Sequence, residues 1–312
     1  MLSSPGFGRL CSYTYLTFVV LIPLRGTRSN VFTGVSEPGV PSSPPSRKPP
    51  TLPRITNGSP GIPNRNGKWK HEIATWNILS LYRTGACQNL VNTLKDYNID
   101  VAALQEIRCT GTGQMRIDDY VIYYKGLNDT HQFGTGFAVH KSLLSAIKEF
   151  NPISERVCTI KLNTKPMNIF IINIHAPTEN KDETDKDEFF EEVTTIYDEA
   201  PGNTIKIIVG DCNAKLGKEP AFRPTIGMHS AHEISNKNGQ RLINFAASRK
   251  MTISSTTFPH KDIHKYTWKS PDGRTVNQID HVLIDTRFRS SIADVRSYRG
   301  ADCDTDHFIV VS

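Results

Sequence analysis

Acidic residues are almost missing from the first part of this 312-residue chain, and proline is scarce in the rest. Residues 1–70 contain one of the 31 Asp/Glu but nine of the 37 Lys/Arg and 11 of the 19 prolines, in runs such as PSSPPSRKPP at 41–50. So little apolar surface cannot offset the entropy of ordering the chain, so residues 1–68 are expected to be a disordered, basic, proline-rich leader and 69–312 the folded domain. Removing residues 1–70 leaves 28 bases against 30 acids, so the net charge of +6 belongs to the leader. The charge therefore does not by itself mark the folded part as a nucleic-acid binder.

Zinc-type cysteine spacing is absent as well. The six cysteines (11, 87, 109, 158, 212 and 303) form no CxxC or Cys/His pattern, and a domain of this size does not need a disulfide scaffold. No apolar run is long enough to span a bilayer. The best candidate, residues 13–24 behind Arg9, has the length of a signal-peptide core but is followed by a poor cleavage pattern. Reduced cysteines, an intracellular location (nuclear or cytoplasmic) and no stable membrane partner are the expectation.

What the chain does have is a set of short words in which an apolar run meets a polar side chain: TWN (75–77), LQE (104–106), NIHAP (173–177), GDCNA (210–214), QID (278–280) and TDH (305–307). Apolar runs of this length read as buried strands, so their polar ends are expected at one edge of a sheet sandwich. Between them lie helical patterns at 87–98, 185–200 and 238–250. Four strand candidates stand in a row at 120–126, 133–140, 157–163 and 167–175. Further strands are expected at 251–255, 266–270, 277–285, 293–298 and 307–312. The order fits an α/β fold, a four-layer sandwich of two mixed, mainly antiparallel sheets with helices outside.

Phosphodiester hydrolysis requires a charged ligand for a hard cation, an orienter or base for water, donors to the developing oxyanion, and help for the leaving oxygen. Glu106, Asp211, Asp280 and Asp306 could supply carboxylates, Asn77 and Asn213 amides, and His175 and His307 imidazoles. Gly210 is expected to turn the chain sharply so that Asp211 and Asn213, two apart, face one side. Asp280 and His307 suggest an oriented carboxylate–imidazole pair. Each residue also has an ordinary structural reading: Asn77 a turn residue, Asp211 an Asx turn, and His175 a half-buried histidine.

These words, together with NGQRLINFA, YTWKSPDGRTVNQIDHVLID and VRSYRGADCDTDHF, resemble the endonuclease/exonuclease/phosphatase superfamily over nearly all of 71–312. Within it they look like endonucleases of RTE-type LINE retrotransposons and the related craniofacial development protein 2 subgroup. The resemblance implies a deoxyribonuclease I-like fold and Mg2+ as cofactor, with Mn2+ the alternative. It implies that Glu106 holds the metal with Asn77, that Asp211 orients or deprotonates water, and that Asn213 donates to the scissile phosphate. His307 would stabilise negative charge under the guidance of Asp280, Asp306 would assist the metal or leaving group, and His175 would serve the leaving group or the phosphate. Arg108, and Trp268 at the head of a loop with Lys269, Arg274 and Asn277, are the candidate DNA contacts. A monomer that nicks DNA is expected. Elements of that type continue into a reverse transcriptase that this sequence does not contain, so no copying of RNA is expected. Two other readings stay open: hydrolysis of another phosphate ester (inositol phosphate, lipid or RNA), and a non-catalytic chromatin or interaction module.

Overall fold

The computed structural model describes residues 71–301 and 303–312. The expected leader of residues 1–68, with its apolar segment, lies outside them.

The first sheet starts with strand β1 (Ile73–Asn77), which is followed by helix α1 (Ala86–Asp96) and strand β2 (Val101–Gln105), parallel to β1. A meander of β3 (Thr112–Ile117), β4 (Tyr120–Lys125) and β5 (Thr135–His140) follows. The chain then enters a second sheet. There β6 (Ile147–Pro152), β7 (Val157–Leu162) and β8 (Ile169–His175) form another meander, and α2 (Glu183–Glu199) carries the chain to β9 (Ile205–Asp211), parallel to β8. After α3 (Lys237–Ser248) come β10 (Met251–Ile253), a small hairpin of β11 (Trp268–Lys269) and β12 (Val276–Asn277), and β13 (Asp280–Asp285). Finally β14 (Arg296–Tyr298) and β15 (Ile309–Val311) return to the first sheet. The orders are β14-β15-β1-β2-β5-β4-β3 and β10-β13-β9-β8-β7-β6.

Alternation along the strands explains the layers. Val101, Ala103, Ile207, Val209, Val282 and Ile284 pack between the two sheets. Their neighbours Ala102 and Leu104 face out beneath Leu90, Val91 and Leu94 of α1, while Ile208 and Leu283 face out beneath Phe189 and Val193 of α2 and Leu242 of α3. This is the four-layer sandwich. Acids in the first turn of α2 (Glu183, Asp185) suit its dipole, and Asn236 caps α3 by accepting from the Gly239 N–H at 2.8 Å.

The structure corrects several expected elements. Strands β3 and β6 were not anticipated: both are edge strands, half exposed along their length, so they show no apolar run. The strand expected over 277–285 is two. It breaks at Gln278–Ile279, where the Thr267 hydroxyl accepts from the N–H groups of Ile279 and Asp280 at 3.0 and 3.1 Å. Gly210 does not turn the chain. It lies inside β9 at φ 149°, where a Cβ would meet the Ile174 carbonyl oxygen at 1.9 Å, so its role is close approach of β8 and β9.

A polar cluster lies between the sheets. Gln105 Nε2 donates to Asn173 Oδ1 at 2.6 Å and to Thr75 Oγ1 at 3.0 Å, while Asn173 Nδ2 donates to the carbonyls of Leu104 and Gly136 at 2.9 and 2.8 Å. A fully buried amide with this many partners fixes the position of one sheet on the other. It does so one residue before Glu106 and two before His175.

Candidate active site

The carboxyl ends of the two parallel pairs meet across the sandwich. Asn77 and Gln105 end β1 and β2 side by side, and His175 and Asp211 end β8 and β9 side by side. Asp280 begins β13 directly opposite Asp211, and His307 lies just ahead of β15, bridged to Trp268. Long-range pairing therefore brings together residues up to 230 positions apart.

Backbone strain shapes the first half of the site. Glu106 and Arg108 both sit in the left-handed region, at φ 53° and 57°, with the fully buried Ile107 between them. The surroundings over-determine this turn: Ile107 and Arg108 N–H groups donate to the carbonyls of Gly134 and Phe133 at 3.1 and 2.8 Å, and the Ile107 carbonyl accepts from Leu81 at 2.9 Å. Asn213, at φ 45°, makes the matching turn after β9, and its N–H donates to Asp211 Oδ1 at 3.0 Å. The Asx turn and the carboxylate placement are thus one arrangement.

Two carboxylates converge on one amide. Asn77 Nδ2 donates to Glu106 Oε1 at 3.3 Å and to Asp211 Oδ2 at 3.1 Å, while Asn77 Oδ1 accepts from the Leu79 N–H at 3.2 Å. His175 Nε2 stands between the same oxygens, at 3.8 and 3.9 Å. Arg108 grips the other Glu106 oxygen at 2.5 Å. On the far side His307 Nε2 lies 3.7 Å from Asp211 Oδ2, and His307 Nδ1 lies 3.0 Å from Asp280 Oδ2.

The charge states follow from these contacts. Burial works against the Glu106 charge; a protonated His175 would favour it, and the Arg108 guanidinium and Asn77 amide, which need no charge on that ring, hold the carboxyl below its usual range. Burial and the nearby Asp280 push Asp211 upward, against the pull of His307 and His175. Burial lowers His175 despite its two carboxylate neighbours, which favours the neutral ring. Burial also opposes a charged His307, yet Asp280 prevails, with Asp211 and Asp306, and the ring is pushed up to about 9.

A hard cation fits this donor set. Glu106 and Asp211 aim oxygens at a common point with one amide between them, and a buried pair of like charges is relieved by a cation. Asp211, Asp280 and His307 also offer ligand atoms within 4.8 Å of one another. Glu106, held by Asn77 beside Asp211, is the residue that would take the ion.

Of the residues singled out in the sequence, Asn77, Glu106, Arg108, His175, Asp211, Asp280 and His307 form one connected cluster. Asn213 borders it, and its Nδ2 donates to the Ala176 carbonyl at 2.9 Å. Asp306 does not join Glu106. Its carboxylate accepts from Trp268 Nε1 at 2.8 Å, so the indole serves the TDH loop rather than standing free as a wedge. Sequence reading missed three supports. Thr267 holds the start of β13, and Thr305 ties the His307 N–H to the Asn77 carbonyl at 3.2 and 2.8 Å. Arg156 donates to the His175 carbonyl at 3.1 Å and stacks over Phe133. The threonines stand inside YTW and TDH, where a hydroxyl next to the polar words was the available signal; nothing marked Arg156.

A family model described as the Endonuclease/Exonuclease/phosphatase family matches residues 74–307. Craniofacial development protein 2 of Bos taurus is 31% identical over 247 residues, which cover 78% of this chain and 41% of that one. The same protein of Tragulus javanicus is also 31% identical, over 78% of this chain and 42% of its own. The chain thus spans about two fifths of the length of these curated relatives. Among solved structures, the endonuclease domain of TRAS1, a telomere-specific non-LTR retrotransposon, superposes with a TM-score of 0.53 at 14% identity, over 77% of this chain and 96% of that one. An AP endonuclease from Archaeoglobus fulgidus gives 0.55 at 16% identity, over 78% and 98%. At these identities the structures show a shared fold.

Proposed function

Since the chain belongs to the endonuclease/exonuclease/phosphatase family, we propose that it is a divalent-cation-dependent phosphodiesterase that nicks DNA, with Mg2+ as its ion. The observation that carries this reading is the buried Asp211 carboxylate, flanked by His307 on one side and by Asn77 and Glu106 on the other. Such a carboxylate is placed to orient a water and accept its proton.

Bound Mg2+ would supply Lewis-acid stabilisation of charge on the phosphate oxygens. The protein's own groups then divide the remaining work. His307, charged through neutral pH by its pairing with Asp280, donates to a non-bridging oxygen. Asn213 offers its second amide hydrogen to the same phosphate. His175, neutral beside Glu106, is placed to donate to phosphate or leaving oxygen. Asp306, fixed by Trp268, adds negative charge near His307. Around the site, exposed Lys269 and Arg274 on the β11–β12 hairpin are available to grip the DNA backbone. DNA as substrate is supported by two endonucleases among the structures that share the fold, and by the retroelement-like words of the sequence.

The test is incubation of the purified chain with supercoiled plasmid and, separately, with phosphoinositides in Mg2+. Nicked circles that disappear with chelator are expected. Release of lipid phosphate without nicking would move the substrate to another phosphate ester, and DNA binding unaffected by chelator and by Glu106→Gln, with no hydrolysis of either substrate, would leave an interaction module.

A further inference from the structure

Beside the Glu106–Arg108 turn, the loop after β1 and the loop joining β4 to β5 meet through two aromatic rings. Tyr82 leaves 69% of its surface exposed, yet it is not free: its ring lies 4.1 Å from that of His131, centroid to centroid, at 34° between planes. Its N–H donates to Ser80 Oγ at 3.0 Å, and the preceding Leu81 N–H donates to the Ile107 carbonyl at 2.9 Å. His131 is anchored too. Its Nδ1 lies 2.9 Å from the Arg108 carbonyl, and since a carbonyl only accepts, that nitrogen carries the proton. Both rings therefore hang from the strained turn that carries the candidate cation ligand.

A large exposed ring is normal when isolated, but this one is held in place by a stacked imidazole and backbone tethers while most of its surface faces solvent. With one side against the imidazole, Tyr82 offers solvent its other face. We propose that Tyr82, held by His131, is a stacking platform for an unpaired nucleobase next to the scissile phosphate. The inference rests on the reading that the substrate is nucleic acid, and it adds a preference for single-stranded, mismatched or unstacked sites. A paired base has both faces covered by its neighbours, whereas an unpaired one has a face to give. The surroundings favour this occupant over an apolar protein surface. The chain next to Tyr82 runs on through Arg83, Thr84 and Gly85, all exposed, so the ring is a single flat site beside the Arg83 guanidinium rather than part of a broad apolar patch. Arg83 is itself braced, donating to the Asp304 carbonyl at 3.2 Å.

The experiment measures binding in EDTA, so that no cutting occurs, of two oligonucleotides of equal length: one with ordinary bases and one in which every sugar is abasic. Tyr82→Ala should weaken the first about tenfold, within the range for stacking of one base on an aromatic side chain, and leave the second unchanged. Tyr82→Phe should bind both as the parent does, and His131→Ala should fall between the parent and Tyr82→Ala on the first. In Tyr82→Trp the added indole emission should be quenched by the base-bearing strand alone. Equal weakening on both oligonucleotides, or none on either, overturns the platform. Plasmid nicking by the parent separates the two ideas: if the parent nicks and Tyr82→Ala binds unchanged, the platform falls and the nuclease reading stands. If the parent neither nicks nor binds, both fall.

Discussion

Asp280→Asn keeps the shape of the side chain beside His307 and removes its charge. In the parent, burial opposes a charged ring, but the Asp280 carboxylate at 3.0 Å prevails, helped by Asp211 and Asp306, and the ring is pushed up to about 9. Measured from the ordinary value of 6.5, that shift is a preference for the charged form of about 3 kcal/mol. The folded-state value lies above the unfolded one, so this stabilisation is complete below pH 6.5 and is lost as the pH rises through about 9. In the variant the largest favourable contribution is gone while burial remains, so the ring should give up its proton at a lower pH than in the parent. Urea unfolding in EDTA should find the variant less stable by about 2 kcal/mol at pH 7, with the gap closing above pH 9. Nicking in Mg2+ should fall by about a hundredfold at pH 7 and recover partly toward acid pH, whereas the parent holds its rate until the ring deprotonates. The change His307→Ala with Asp280→Ala should be scarcely worse than His307→Ala alone, because the carboxylate acts through the ring. An NMR titration in which the His307 ring of the variant deprotonates at the same pH as in the parent would falsify the reasoning. So would losses that multiply in the double variant.

Other changes test the rest of the site and its frame. Asp211→Asn should lower nicking by about a hundredfold or more with an unchanged circular dichroism spectrum; activity within about tenfold of the parent removes Asp211 from the mechanism. Glu106→Gln should differ in kind, with a defect that raising Mg2+ partly relieves, and a defect indifferent to Mg2+ argues against ion binding there. Gly210→Ala should lower stability by about 3 kcal/mol in thermal unfolding, because its Cβ would lie 1.9 Å from the Ile174 carbonyl oxygen. An unchanged melting temperature would mean that β8 and β9 have slack. Asn173→Ala should cost about 2 kcal/mol by leaving the Gln105 amide and two carbonyls short of partners, and it should slow nicking although Asn173 touches no substrate. Full activity would show that the sheets keep their relative position without it.

The two sheets and the gathering of polar ends were legible because the central strands are buried on both faces, which leaves uninterrupted apolar runs such as VAAL and IFII. Edge strands β3 and β6 were not, since half of each faces water and TGQMRI or IKEFNP carries no such run. The Asp280–His307 pair could be anticipated from two short words, and the structure places them 3.0 Å apart. The bond from Trp268 to Asp306 could not, because a tryptophan after YT gives no sign of where its N–H points. Gly210 shows another limit. A glycine after an apolar run suggests a turn, and only the pairing with β8 reveals that it makes room for a neighbouring carbonyl. Tyr82 and His131, 49 positions apart, carry no shared pattern and meet only because Leu81 and Arg108 anchor their loops.

The pairing of β1 with β15 has a consequence for attachment. These strands run antiparallel, with Ala74 opposite Val311, and Ile73 and Ser312 exchange backbone hydrogen bonds at 3.1 and 2.8 Å. Ile73 and Ser312 therefore lie side by side at one margin of the first sheet. Because β1 runs from there toward Asn77, that margin lies opposite the candidate site. On the nuclease reading, a reporter or surface anchor fused after Ser312 would start from the margin away from that site and leave it open to a long polymeric substrate.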